Sequence, residues 1–370
     1  MRTKLLALAA VGLMATTVMT ACDGSDDSSD ASSGAIAGGE TGARVGVILP
    51  DTKSSTRWTS DDPKFLKQKF DAAKIKSDIK NAQGDPENFK RIGEQMVDSG
   101  AKVLIIANLD ADSGKAVIDA AHAKHVPVID YDRMTLNGGA DYYVSFDGGK
   151  VGQAQAGSLQ GCIKDQNIKD PIVAELNGSP TDNNATLFKT GYDQLLQPLY
   201  DDGRYTKGPD QWVPNWDEDE ATAIFTQMLT QQPKINAVLA ANDGIANAVI
   251  AVLKKHKMNG KVPVTGQDAT VQGLQNILAG DQCMTVLKPF QPEAAAAADL
   301  AIDLYNGTKV RATTVPEKDP ESGAYVPMVA LTPRAITLDG IKDLVDDGTV
   351  TKDQLCTAKY AAKCAQLDIK

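Results

Sequence analysis

Short apolar runs alternate with amphipathic stretches from about residue 44 to residue 305. Runs rich in valine, isoleucine and leucine predict buried strands, and apolar residues that recur every three or four positions predict helices between them. The predicted strands are Arg44–Leu49, Val103–Ile106, Val126–Asp130, Ile172–Leu176, Ala237–Ala240, Val262–Thr265 and Met284–Leu287. Strands that alternate with helices in this way build a parallel sheet covered by helices on both faces.

The elements fall into two similar sets, of which the second begins after Asp147. We therefore predict an α/β protein with two similar doubly wound parallel-sheet domains. We expect residues 41–146 and about 290–327 to form an N-terminal lobe, and residues 147–289 and about 328–370 a C-terminal lobe. The chain would cross between the lobes three times, near Phe146–Asp147, Lys288–Phe290 and Met328–Thr332.

Polar side chains follow nearly every predicted strand. They are Asp51, Arg57, Asn108, Asp110, Asp130, Asp132, Arg133, Asp182, Asn183, Asn184, Asn242, Asp243, Gln267, Asp268 and Lys288. In open parallel sheets, ligands bind outside the carboxyl ends of the strands. The alternative is that loops are polar anyway and that Asp and Asn cap helices. That alternative explains the arginines and the lysine poorly, although it stays open for Asp243.

The three tryptophans of this aromatic-poor chain lie among polar residues. A sugar presents hydroxyl groups and partly apolar faces, so its binder needs paired donors and acceptors together with aromatic rings. We therefore assign Trp58 and Trp216 to a sugar site and leave Trp212 outside it. The alternative for each is a place in the core or on the surface.

The first residues read as an export signal. Arg2 and Lys4 precede an apolar stretch that is too short for a comfortable membrane span. Residues 19–22, Met-Thr-Ala-Cys, resemble the lipobox of bacterial lipoproteins, in which Cys22 is acylated, although Met19 stands where that pattern usually has leucine. The alternative is an ordinary cleaved signal with an incidental cysteine.

Residues 23–39 consist almost entirely of Asp, Ser, Gly and Ala, which is typical of a flexible tether. Removal of the signal, which has two basic and no acidic residues, takes the net charge from −10 to −12. An acidic body without a long basic run argues against nucleic acid as a partner.

Four cysteines remain if Cys22 carries lipid, and an even number in an exported protein predicts two disulfides. Cys356 and Cys364 are close in sequence and are expected to pair, which leaves Cys162 and Cys283 for each other. Their spacing fits no zinc pattern, so we predict no metal site.

Several segments together resemble the periplasmic sugar-binding proteins of the ribose, galactose and xylose group, and most of all the xylose-binding proteins of ABC importers. They are Val128–Met134, Tyr143–Asp147, Gly178–Ala185, Gln211–Trp216, Asn242–Asp243, Gly266–Ala269 and Met284–Pro289. The resemblance implies the type I periplasmic binding protein fold. It does not cover the tether or the four cysteines of the body.

The resemblance also implies roles for single residues. Arg57 and Trp58 match the polar and aromatic entry to the site, and Asp132–Arg133 matches the pair that grips adjacent hydroxyls, although alone it could be a surface ion pair. The other implied ligands are Asn183 or Asn184, then Trp216, Asn242, Asp268 and Lys288.

The implied protein is a monomeric, lipid-anchored binding subunit that delivers a monosaccharide, D-xylose above others, to the membrane subunits of an ABC permease. It needs no cofactor and is not an enzyme. A sugar-sensing subunit and other sugars, such as ribose, arabinose, glucose or galactose, remain alternatives. No Gly-x-Ser-x-Gly elbow, phosphate loop or histidine cluster favours an enzyme, although spacing alone leaves the paired carboxylates of a glycosidase open.

Overall fold

The computed structural model describes Gly42 and residues 44–370. The predictions on the signal, Cys22 and the tether therefore lie outside the described residues. The strands are β1 (Arg44–Leu49), β2 (Ser77–Asn81), β3 (Ala101–Ile106), β4 (Val128–Tyr131), β5 (Tyr142–Phe146), β6 (Ile172–Asn177), β7 (Thr206–Trp212), β8 (Ala237–Ala240), β9 (Thr285–Leu287), β10 (Val315–Lys318), β11 (Tyr325–Leu331) and β12 (Arg334–Ile336).

Helices occupy most of the connections between these strands. They are α1 (Arg57–Ser60), α2 (Asp62–Ala72), α3 (Pro86–Asp98), α4 (Ala111–His122), α5 (Gly148–Asp165), α6 (Asn183–Asp201), α7 (Glu218–Gln231), α8 (Asp243–Lys255), α9 (Val271–Ala279), α10 (Phe290–Tyr305), α11 (Ile341–Asp346), α12 (Lys352–Leu355) and α13 (Ala361–Gln366). Single 3₁₀ turns lie at Pro214–Trp216 and Leu338–Gly340.

The larger sheet has seven strands, in the order β10-β11-β5-β4-β3-β1-β2. Its strands pair in parallel, except that β10 is antiparallel to β11. The alanine-rich helix α10 packs with α2 on one face, while α3 and α4 cover the other face. This sheet and its helices are called the N lobe below.

A smaller parallel sheet has three strands, in the order β7-β6-β8. Helices α5, α6, α7 and α8 contribute to its core. Helices α5 and α6 approach closely, since a Cβ on Gly152 would lie 2.0 Å from the carbonyl oxygen of Phe188. The antiparallel pair β9–β12 and the C-terminal helices complete what is called the C lobe below.

The strand partners locate the chain crossings. Strand β5 leads into α5, and β9 leads through Lys288 and Pro289 into α10. Strand β11 stays paired with β5 through Leu331, four residues beyond the boundary expected at about 327. We therefore propose that the N lobe comprises residues 44–146 and 290–331, and that the third crossing is at Thr332–Pro333.

Two secondary-structure predictions need correction. Of the expected strand Val262–Thr265, only Val264 forms a bridge, to Val238. Strands β2 and β7 were not predicted because the sequences SDIKN and TKGPDQW contain no apolar run. Both lie at sheet edges, where one side of the strand faces away from the sheet and burial is incomplete.

The four cysteines of the body pair as predicted. Cys162, near the end of α5, is bonded to Cys283, which precedes β9, with their Cα atoms 6.3 Å apart. Cys356 and Cys364 are bonded across 6.0 Å between α12 and α13. In the described part of the chain, no helix is both long and apolar enough to cross a membrane.

Candidate functional site

The carboxyl ends of the strands from both lobes meet around a polar cavity of about 30 Å³, called the inner cavity below. Nine of the ten predicted ligand residues line it. They are Arg57, Trp58, Asp132, Arg133, Asn184, Trp216, Asn242, Asp268 and Lys288. The tenth, Asn183, starts helix α6 but does not line the cavity, so of the two alternatives only Asn184 faces it.

Asp132 is the central acceptor of the inner cavity. It follows β4 with a φ of 62°, a left-handed conformation that Asp and Asn tolerate better than most residues. Its Oδ2 accepts hydrogen bonds from Arg57 and from Lys288, both at 2.9 Å, while Oδ1 accepts one from the amide of Asn184 at 3.1 Å. Burial opposes ionisation, but the charges of Lys288, Arg57 and Arg133 outweigh it and lower the pKa of Asp132 to about 2.

Arg57 is held from behind by the N lobe. Asp62 accepts two hydrogen bonds from its guanidinium, at 2.7 and 2.8 Å, and Glu293 accepts one at 2.6 Å. The guanidinium also lies over the rings of Trp58 and Phe290, 4.4 Å from each centroid. Burial raises the pKa of Glu293 to about 8 despite the neighbouring Arg57. Arg57 is therefore a fixed support for Asp132.

Arg133 reaches across the inner cavity. It donates hydrogen bonds to the carbonyl oxygen of Asn108 at 3.0 Å and to the hydroxyl of Ser54 at 3.1 Å. Its Nε lies 3.0 Å from Oδ2 of Asp182 in the C lobe. This contact is an ion pair without the geometry of a hydrogen bond. The Nε–H of Arg133 therefore has no hydrogen-bond acceptor among the described residues.

The two indole rings are fixed by different means. Trp58 donates from Nε1 to the hydroxyl of Ser54 at 3.1 Å. Trp216 has a φ of 57°, which is strained for a bulky residue and is often found at ligand sites. Its ring packs against Gly178, where a Cβ would lie 2.0 Å from the ring, and its Nε1 donates to Asp182 at 3.1 Å. Trp212 does not line the inner cavity.

Asn242 and Asp182 show that helix capping and a place in the site are compatible. Asn242 caps α8 by accepting the N–H of Ile245 at 2.8 Å, while its amide donates to the carbonyl oxygen of Ser54 at 3.2 Å. Asp182 caps α6 with Oδ1 and faces Arg133 and Trp216 with Oδ2. Because each side chain has two polar ends, one can serve the helix and the other the cavity.

Asp243 is not the cap of α8, contrary to the alternative kept for it. Its buried carboxylate instead accepts hydrogen bonds from Thr270, Gln282 and Thr285. Burial raises its pKa to about 7 against those hydrogen bonds. The contacts hold in place the segment that carries Asp268.

Asp268 and Lys288 complete the C-lobe side of the inner cavity. Asp268 accepts a hydrogen bond from the hydroxyl of Ser55 at 3.2 Å and lies 4.0 Å from the ammonium of Lys288. Burial raises the pKa of Asp268, and Lys288 opposes that shift. For Lys288, burial lowers the pKa, but Asp132 and Asp268 outweigh it and the net shift is upward. The site therefore holds a strong cationic donor between two carboxylates.

Five further residues of the inner cavity were not among the predicted ligands. They are Ser54, Ser55, Asp182, Phe188 and Gln267. Asp182 and Gln267 stood among the polar residues after strands, so that signal could have included them. Nothing in the local pattern distinguishes Ser54 and Ser55 from other loop serines, or Phe188 from the core residues of α6.

Donors and acceptors alternate around the inner cavity and meet each other across it. Such a set suits a neutral ligand with many hydroxyl groups, because each hydroxyl can both donate and accept. Within residues 44–370, no group of three or more His, Cys, Asp or Glu side chains is placed to hold a metal ion.

Comparison with known proteins identifies the family. The model of the family described as "Periplasmic binding protein domain" matches residues 45–309. The chain is 34% identical over 314 residues to the D-xylose-binding periplasmic protein of Escherichia coli, covering 84% of this chain and 92% of that one. It is also 34% identical to the multiple sugar-binding periplasmic receptor ChvE of Rhizobium radiobacter, over 84% and 92% of the two chains.

A solved structure has the same architecture. The ABC transporter solute-binding protein of Clostridium phytofermentans, with bound β-D-glucose, superposes with a TM-score of 0.77 at 27% identity, covering 84% of this chain and 99% of that one.

Proposed function

This chain belongs to the periplasmic binding protein family, and we propose that it is the sugar-binding lipoprotein of an ABC importer, with D-xylose as its sugar. The observation that carries the proposal is the inner cavity. There, Asp132 and Asp268 from opposite lobes face Arg133, Asn184 and Lys288, and two indole rings form part of the wall. A pyranose needs paired polar groups for its hydroxyls and apolar surface for its ring faces.

The mechanism that we propose is capture by closure of the two lobes. The inner cavity of about 30 Å³ is smaller than a monosaccharide, and cross-lobe hydrogen bonds fill the site. Asn184 donates to Asp132, and Ser55 donates to Asp268. Sugar hydroxyls would replace these contacts and bind both lobes at once. A ligand that contacts both lobes favours the closed form, which the permease then recognises.

The choice of D-xylose rests on the relatives. One relative at 34% identity is named for D-xylose and another at 34% identity for multiple sugars, whereas the solved structure at 27% identity holds glucose. The nine cavity residues suit a pyranose of either size, so D-glucose, ribose, arabinose and galactose are the competing ligands. Neither relative is named as an enzyme, and we propose no catalytic activity.

A calorimetric titration of the purified protein with these five sugars tests the proposal. D-xylose should bind with the highest affinity and should come back unchanged after incubation. If another sugar binds more tightly, that sugar replaces D-xylose as the proposed ligand, and the proposal of a sugar-binding protein stands. Binding of none of them, or turnover of any, would refute the proposed function.

We propose the location of the protein from its sequence. Acylation of Cys22 would fix the protein to the outer leaflet of the cell membrane, and residues 23–39 would let the monomeric body reach the permease.

A further inference from the structure

A second cavity adjoins the inner one, and several of its lining residues are exposed to solvent. Its volume is about 240 Å³, eight times that of the inner cavity. Both lobes supply its walls. The residues that characterise it are Thr52, Lys53 and Gln83 from the N lobe and Thr181, Asn215 and Asp217 from the C lobe. It is called the outer cavity below.

The two cavities share a wall. Arg133, Asp182 and Trp216 line both of them. A substituent on a sugar ring held in the inner cavity would enter the outer one between these three side chains, where it has to displace the contacts of Asp182 with Arg133 at 3.0 Å and with Trp216 at 3.1 Å.

The charges of the outer cavity disfavour an anionic ligand. Its wall contains three carboxylates, those of Asp51, Asp182 and Asp217. Its two cations are already engaged, since Lys53 lies 3.3 Å from Asp217 and Arg133 lies 3.0 Å from Asp182. A phosphate or a uronate would face an excess of negative charge with no cation of the described wall left to receive it.

The remaining wall groups suit a neutral sugar. Ser179 and Thr181 offer hydroxyls, Asn215 and Gln83 offer amides, and Leu109 adds an apolar surface beside the indole of Trp216. This is the same combination of paired polar groups and apolar faces that a pyranose ring requires.

We propose that the outer cavity takes the second ring of a neutral disaccharide whose first ring occupies the inner cavity. The inference rests on the proposed function, because it needs a sugar in the inner cavity. Two contacts between the lobes flank this space, Lys53 with Asp217 and the hydroxyl of Thr181 with the carbonyl oxygen of Leu109 at 3.4 Å. Both are solvent-exposed and weak, so a second ring can displace them at small cost.

Calorimetric titrations with D-xylose and with xylobiose, its β-1,4-linked dimer, test the inference. Thr181→Trp fills the outer cavity, Thr181→Ala removes the hydroxyl that contacts Leu109 and Ser179, and Thr230→Trp places the same new side chain on the exposed surface of α7. The parent should bind both sugars. Thr181→Trp should weaken xylobiose binding roughly thirtyfold or more while xylose affinity stays within about threefold, and the other two variants should match the parent. If the panel above favours glucose, cellobiose replaces xylobiose.

The outcomes separate the two proposals. A parent that binds no sugar at all refutes the proposed function. A parent that binds xylose but no disaccharide, or a Thr181→Trp variant that binds xylobiose as well as the parent, refutes the outer site alone.

Discussion

Replacement of Asp132 by asparagine is the sharpest test of the inner cavity. Asparagine has the same shape and also tolerates the positive φ of 62° at this position, so the change removes charge with little backbone strain. Alanine would remove the charge and also change the shape of the side chain. The perturbation is therefore the loss of one carboxylate that Arg57 and Lys288 contact at 2.9 Å each.

The expected loss of affinity follows from the hydrogen bond that the carboxylate would make to a sugar hydroxyl. Hydrogen bonds to charged groups contribute about 1.5–3 kcal/mol, so the affinity should fall roughly tenfold to a hundredfold. The free energy of unfolding should decrease less than it does when a buried ion pair loses one partner and leaves the other unpaired. Arg57 keeps Asp62 and Glu293 as partners, and Lys288 keeps Asp268 at 4.0 Å.

Titration calorimetry on the folded variant provides the measurement, and circular dichroism reports folding. Asp119→Asn is the matched control, because Asp119 is exposed on α4 and pairs with Lys115 at 3.0 Å, away from the residues of the inner cavity. It should bind like the parent. If folded Asp132→Asn binds every sugar of the panel as tightly as the parent, Asp132 does not contact the ligand and the inner cavity is not the binding site.

Three further predictions concern the anchor, the disulfides and the pH dependence of stability. Cys22→Ser should release the protein from the membrane fraction without loss of sugar binding, and a variant that stays in that fraction would disprove the lipid anchor. Peptide mapping of the unreduced protein should recover both cysteine pairs described above, which stabilise the fold by about 2–4 kcal/mol each; four free thiols would contradict this. The pKa of Glu293 is raised from 4.5 to about 8 by burial, so the folded state keeps a proton that the unfolded state loses. The stabilisation is complete below about pH 4.5 and is lost as the pH rises to about 8. Melting temperatures should therefore fall over this window, and less steeply for Glu293→Gln; identical slopes would show that Glu293 does not titrate there.

The alternation of strands and helices was readable from local patterns, because buried strands and amphipathic helices leave distinct periodicities. Strand β1 was predicted with the bounds that the structure gives it. Strands β2, β7 and β10 lie at sheet edges and carry polar sequences, so no local signal marks them.

The inner cavity was largely predictable for a related reason. In parallel sheets every strand ends at the same edge, so polar residues after successive strands must converge, whatever the details of packing. That rule placed Asp132, Asn242 and Asp268 near one another. It gave no means of choosing between Asn183 and Asn184, since one step along a helix turns a side chain by about 100°.

The sequence by itself determined most of the elements, the α/β architecture with two sheets, the cysteine pairs and most of the residues that line the inner cavity. Only the tertiary structure decided that Asp62 and Glu293 accept hydrogen bonds from Arg57. Glu293 lies 236 positions after Arg57 in the chain. The tertiary structure also decided that an outer cavity of about 240 Å³ lies beside the inner one. Such features depend on how distant segments approach in space, and no local pattern of residues encodes that distance.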